Sequence, residues 1–198
     1  MRNFTDLTGK RAMVTGGAQG LCRGMAEGLM EAGADGAGVQ KRHKSEEFPV
    51  QDWDFVINVN LNAVFKLCQL AGRQFMKQQS RGKIINIASM LSFFGGYTVP
   101  AYAASKGGVS QLTKALCNEW ASMGINVNAL APGYMDTEMN TALTDPDNPR
   151  YKEITDRIPA HVWGTPEDMK GPCVFLASEA SDYLNGAVIP VDGGYLVR

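Results

Sequence analysis

The sequence predicts an α/β fold: a Rossmann-like, doubly wound parallel sheet in a three-layer αβα sandwich, forming one domain over residues 1–198. Three observations predict it. Short apolar or β-branched runs alternate with long helical stripes, the pattern that builds parallel βαβ units. The first run is followed at once by a glycine-rich turn, TGGAQG, which opens a helix. A length of 198 residues with 44% hydrophobic and 20% charged content suits one substantial core.

The elements follow in order. Residues 11–15 are a short apolar strand, and Met25, Leu29 and Met30 then recur at helical spacing before Gly33 ends the helix. Residues 36–40 form a weak second strand, because Gly36 and Gly38 have no side chains to pack. Residues 53–79 carry Val56, Val59, Asn60, Ala63, Val64, Leu67, Leu70 and Ala71 along one helical stripe. KIINIA, residues 83–88, is continuous and β-branched, as a buried strand should be. A helix over 102–123, a strand over 125–130, a helix over 166–178 and a strand over 187–191 complete the series. Residues 137–159, rich in Asp, Asn, Pro and Thr, read as a lid or binding loop.

Composition narrows the partners. A formal net charge of −1 provides no basic stripe to neutralise phosphates, so nucleic acid is not an expected partner and a small molecule is. No apolar run approaches the ~20 residues that span a bilayer, and MRNFTDLTGKR lacks the apolar centre of a signal peptide, so no membrane is expected and the location is read as cytoplasmic. Cys22, Cys68, Cys117 and Cys173 are scattered, and His43 and His161 are the only histidines, which argues against a metal site.

Several groups could carry chemistry. Gly16, Gly17 and Gly20 sit between strand and helix, where bare backbone lets a pyrophosphate approach the helix N-terminus; many such turns hold glycines for steric reasons alone. Tyr102 and Lys106 in YAASK are four residues apart and share one helix face, so the ammonium would favour the phenolate and make Tyr102 an acid/base group. Taken alone, that pair is a combination chance supplies often. Ser89 ends the KIINIA strand, where a hydroxyl either bonds a substrate oxygen or merely caps the strand end. Phe93, Phe94, Tyr97 and Tyr134 either line a pocket with the 137–159 loop or pack together.

TGGAQG, Asn60 in NVNLNAVF, Ser89 in NIAS, YAASK, PGYMDT at 132–137 and the terminal VDGG occur in the order seen in the short-chain dehydrogenase/reductase family, which the sequence resembles over residues 8–40 and 52–198. KIINIASMLSFFGG and the stretch from DRIPAHVWG to SDYLNG are similar to one branch of it, the 2-dehydro-3-deoxy-D-gluconate 5-dehydrogenases, also described as 2-deoxy-D-gluconate 3-dehydrogenases. The resemblance implies an oxidoreductase that interconverts a secondary alcohol and a ketone on a small sugar acid, in carbohydrate metabolism, as a homotetramer. It implies that Tyr102 moves the hydroxyl proton and Ser89 orients the substrate oxygen. Lys106 would hold the nicotinamide ribose, and Asn60 would support a water connecting Lys106 to solvent. Gly16, Gln19, Gly20, Leu21, Tyr102, Lys106, Pro132, Gly133, Met135 and Thr137 would contact NAD or NADP. The other readings are a 3-oxoacyl-thioester reductase of the same family and a non-catalytic shortened member.

The sequence departs from the family pattern in four places. After GADGAGVQKRHKSEEF about 60 residues are absent, including the strand that lies between the first and fifth in the usual 3-2-1-4-5-6 order. The expectation is a missing segment whose ends meet within residues 36–52; the other reading is a truly shortened protein that binds coenzyme weakly or not at all. Gln40, Lys41 and Arg42 occupy the neighbourhood where an acidic residue would favour NAD, whereas basic groups suit a 2′-phosphate. Cys22 replaces a usual third glycine, and Val162 stands where similar sequences often have arginine.

Overall fold

Among the described residues, Ile125–Pro132 (β2) is buried at every position because it is the middle strand of a three-stranded parallel sheet, between Gly82–Ile87 (β1) and Val188–Val191 (β3). The computed structural model describes residues 5–8, 10, 12, 25, 40–137 and 140–198. Register pairs Ile87 with Leu130 and Pro132 with Val191, so the carboxyl ends of all three strands lie along one edge. The strands predicted over 83–88, 125–130 and 187–191 are these three. Of the predicted strand at 11–15 only Ala12 is described, exposed and outside any strand; of 36–40 only Gln40 is described, also outside any strand.

The two faces of β2 follow the period of two expected of a strand. Ile125, Val127, Ala129 and Ala131 face a layer made of Val50–Gln78 (α1) and Pro100–Trp120 (α2). Leu130 faces Lys170–Ala177 (α5) and its leading 3₁₀ turn Pro166–Met169, packing with Met25, Met169, Cys173 and Leu176. Asn126 and Asn128, also buried, bond the carbonyls of Asp182 and Leu184 and so hold the approach to β3. The result is the three-layer, parallel-sheet arrangement expected from the sequence.

Within α1, the stretch Asn58–Asn62 is a π-helical turn, an insertion the apolar periodicity did not reveal. α1 and α2 approach closely at Gly72, where a Cβ would fall 2.8 Å from the Trp120 ring. By length and composition α1 could cross a membrane, contrary to the expectation that no run approached that length. Its Val56, Asn60, Cys68 and Gly72 are nevertheless buried within the fold.

The polar excursion at 137–159 is not an irregular loop throughout. It contains two short helices, Thr141–Thr144 (α3) and Pro149–Arg157 (α4), the second started by Pro149 at its first turn and capped by Asn148. Ile154 and Ile158 bury against Met90 and Tyr195. Helix α4 therefore rests on the loop that follows β1.

Candidate active site

The chain leaves β1 at Ile87, whose neighbour Ala88 is held by a 2.8 Å bond from its N–H to the carbonyl of Leu130. Ser89 comes next, in extended conformation, and caps the 3₁₀ turn Met90–Ser92 by accepting from the Leu91 N–H at 3.2 Å. After the loop, Pro100 starts α2, and its first turn presents Tyr102; Lys106 follows one turn later on the same face.

These side chains converge. Burial raises the Tyr102 phenol above its ordinary value, and a hydrogen bond with the Ser89 side chain pulls the other way. Lys106 is buried, donates to the carbonyl oxygen of Ile87 at 2.7 Å and lies 5.6 Å from the centre of the Tyr102 ring. The expectation that the ammonium would leave the phenol lowered is corrected: desolvation is the larger effect, and the opposing one comes from Ser89. Asn60, in the π-helical turn, donates to Ser105 Oγ at 3.3 Å, and Ser105 donates to the Tyr102 carbonyl at 2.7 Å. The fold thus gathers Ser89, Tyr102, Lys106 and Asn60 beyond the carboxyl end of β1, where parallel α/β sheets bind ligands.

The neighbouring strand end supplies the second wall. Pro132 closes β2, and Gly133 donates to the Val191 carbonyl at 3.0 Å. A Cβ on Gly133 would lie 2.7 Å from both Cα and Cβ of Asp192, so a side chain there would push the ends of β2 and β3 apart. Asp192 in VDGG accepts from the N–H groups of Gly194 and Leu196 at 2.9 Å each. Met135 bridges to Gly164, its carbonyl accepts from Asn140 Nδ2 at 2.9 Å, and Thr137 accepts from the Asn140 N–H at 2.8 Å. Gly16, Gln19, Gly20, Leu21 and Cys22 lie outside the described residues.

Two placements differ from expectation or were missed. The His43 N–H donates to the Thr98 carbonyl at 3.2 Å, and the His43 ring and Lys41 meet Asp52 at 2.7 and 3.8 Å. The segment around His43 is therefore docked against the loop entering α2, while residues 36–39 of the expected second strand lie outside the described residues. Second, Phe94 and Tyr134 do pack together, but through Tyr195, in a cluster that includes Trp163 and Tyr151. Arg157 stacks on Tyr195 at 4.5 Å. Phe93 and Tyr97 remain exposed, as does Val162.

A phenol, a hydroxyl and a buried ammonium converging at a strand end fit the alcohol–carbonyl end of a nicotinamide coenzyme reaction, since together they can donate, orient and hold charge around one oxygen.

A family model described as enoyl-(acyl carrier protein) reductase matches residues 34–196. A 2-dehydro-3-deoxy-D-gluconate 5-dehydrogenase of Dickeya dadantii is 51% identical over 198 residues, all of this chain and 78% of the relative. One from Pseudoalteromonas atlantica is 42% identical over 251 residues, with 98% of each chain covered, so the relative's extra length lies within the alignment. A crystal structure from Agrobacterium tumefaciens, described as a 2-deoxy-D-gluconate 3-dehydrogenase with bound NADP, superposes with a TM-score of 0.95 at 40% identity and 100% coverage of both chains. Sheet order, the strand-end serine followed by the Tyr102/Lys106 turn, and these likenesses agree: the chain belongs to the short-chain dehydrogenase/reductase family of NAD(P)-dependent oxidoreductases, and is shorter than its relatives.

Proposed function

We propose that the chain interconverts a secondary alcohol and a ketone on a small sugar acid of the gluconate type, using NAD or NADP, with Tyr102 as general acid/base. The observation that carries this is the convergence of Ser89, Tyr102 and Lys106 beyond β1. The names of the relatives, 2-dehydro-3-deoxy-D-gluconate 5-dehydrogenase among them, support the substrate class.

In the reducing direction the Tyr102 hydroxyl donates its proton to the carbonyl oxygen as negative charge develops there. The Ser89 hydroxyl donates a second hydrogen bond to the same oxygen. A phenol raised by burial is fully protonated at neutral pH and therefore ready to act as the acid. In the oxidising direction Tyr102 must accept the proton, and the Lys106 ammonium stabilises the resulting phenolate. Bound NAD(P) supplies or takes the hydride. Lys106 has three N–H donors, so its bond to Ile87 is compatible with holding the nicotinamide ribose. Pro132, Gly133, Met135 and Thr137 would border the coenzyme on the β2 side, with Gly16, Gln19, Gly20 and Leu21 at its pyrophosphate. Asn60 would support the water that connects Lys106 to solvent; the π-helical turn around it interrupts the regular backbone ladder there.

The chain is further read as one cytoplasmic domain, with the segment missing relative to its relatives falling within residues 36–52, and as a homotetramer. Exposed Phe65 and Leu70 on α1 support the oligomer, and sedimentation tests it. A second reading, reduction of 3-oxoacyl thioesters, is supported by the acyl-carrier-protein description of the matching family model. A third, a non-catalytic member, is supported by the chain's shortness.

The test is a coenzyme absorbance assay with 2-dehydro-3-deoxy-D-gluconate, gluconate-type keto acids and an acetoacetyl thioester, beside calorimetry with NAD and NADP. Turnover of sugar acids alone supports the main reading. Turnover of the thioester alone supports the second, and a folded protein with no coenzyme heat supports the third.

A further inference from the structure

Ser92 belongs to none of the groups given a role so far. Its hydroxyl accepts from the Ser89 N–H at 3.3 Å and donates to the Lys106 carbonyl at 2.7 Å. One side chain therefore touches the backbone of two residues of the proton-transfer set, one at the end of β1 and the other on α2. A serine hydroxyl has one proton to give and lone pairs to receive, so both bonds form at once.

Alongside the bond from Lys106 to the Ile87 carbonyl, Ser92 joins the end of β1 to α2, and parts of the loop between them are open. Phe93 is half exposed, Tyr97 is largely exposed, and a Cβ on Gly95 would meet nothing within 4 Å. Reaction between groups held by two elements is sensitive to their separation, and a displacement of about 1 Å costs ~100-fold.

We propose that Ser92 is a positioning residue, clamping the end of β1 to α2 so that the Ser89 hydroxyl and the Tyr102 phenol address the same substrate oxygen. The proposal rests on the reading of Ser89, Tyr102 and Lys106 as the proton-transfer group. Ser92 itself touches neither substrate nor coenzyme in this account; it acts through the two elements it joins.

The experiment compares the wild type with Ser92→Ala, Ser92→Thr and a matched control, Ser178→Ala. Ser178 makes the same two-sided pattern at the end of α5, accepting from Ala180 N–H at 3.3 Å and donating to the Phe175 carbonyl at 2.9 Å. Melting temperature, coenzyme Kd, and kcat and KM for 2-dehydro-3-deoxy-D-gluconate are measured for each. Ser92→Ala is expected to lower kcat ~10- to 100-fold with coenzyme Kd within about twofold, while Ser92→Thr, which keeps the hydroxyl, recovers most of it. Ser178→Ala is expected to lose thermal stability but not kcat. The proposal is overturned if Ser92→Ala keeps the wild-type kcat, or if Ser92→Thr is as slow as Ser92→Ala. A wild type that binds coenzyme but turns over no sugar acid or thioester defeats the functional reading instead. The clamp is then judged from backbone amide spectra: Ser92→Ala must shift resonances at both Ser89 and the first turns of α2, and a shift confined to Ser89 refutes it.

Discussion

Lys106, one turn into α2 from Tyr102, donates a hydrogen bond from its buried ammonium to the carbonyl oxygen of Ile87, the last residue of β1, across 2.7 Å. The bond ties the helix carrying the acid/base to the strand that ends in Ser89. It also sets the ammonium 5.6 Å from the Tyr102 ring.

Lys106→Met keeps the bulk and removes the charge. Activity should fall at least ~100-fold, as expected for loss of a partner in acid–base chemistry. Stability should fall by about 1 kcal/mol, because Ile87 loses a buried donor while the cost of burying a cation disappears. Steady-state kinetics and urea denaturation check both. Unchanged turnover would remove Lys106 from the mechanism.

The raised Tyr102 phenol gives the two directions different pH behaviour. Ketone reduction needs the protonated phenol, so its kcat/KM should be flat through neutral pH. Alcohol oxidation needs the deprotonated one, so its kcat/KM should climb as the medium becomes alkaline. An oxidation profile that levels off below pH ~7 would contradict burial as the dominant influence.

Much of this geometry was legible in the sequence, for identifiable reasons. KIINIA carries the β-branched Ile84, Ile85 and Ile87 up to Ala88, so Ser89 falls at the strand end. The four-residue spacing of Tyr102 and Lys106 places both on one helix face wherever the helix begins. The π-helical turn at Asn58–Asn62 left no such signal, because one extra residue in a turn barely disturbs an apolar stripe. The cluster of Tyr134, Tyr151, Trp163 and Tyr195 joins positions far apart in the chain, which periodicity does not connect. Desolvation of Tyr102 depends on what covers it, a property of packing and not of spacing.

Cys68 provides a stability test away from the site. Burial pushes its thiol up to about 11, although it donates to Asn86 Oδ1 at 3.2 Å. The folded state therefore keeps the thiol neutral where the unfolded chain ionises near ~8.5. This contribution is fully present below that pH and lost as pH rises toward the folded value. The stability of Cys68→Ala should decline less steeply than the wild type above pH ~8.5. In the native protein Cys68 should also resist thiol reagents, whereas parallel decline in both proteins would contradict the assignment.

Gly133→Ala tests the close approach of β2 and β3. With Asp192 atoms 2.7 Å from the new Cβ, the strand ends must separate, at a cost of roughly 1–3 kcal/mol. Melting temperature should drop, and coenzyme affinity with it. A variant as stable as the wild type would show that the two strand ends tolerate displacement.

Tyr102→Phe is the most direct test of the central claim, since it deletes one oxygen and leaves the ring in place. With the substrate that the wild type turns over, kcat should fall by ~100- to 10,000-fold while coenzyme Kd changes little. A Tyr102→Phe variant with wild-type kcat would contradict the account.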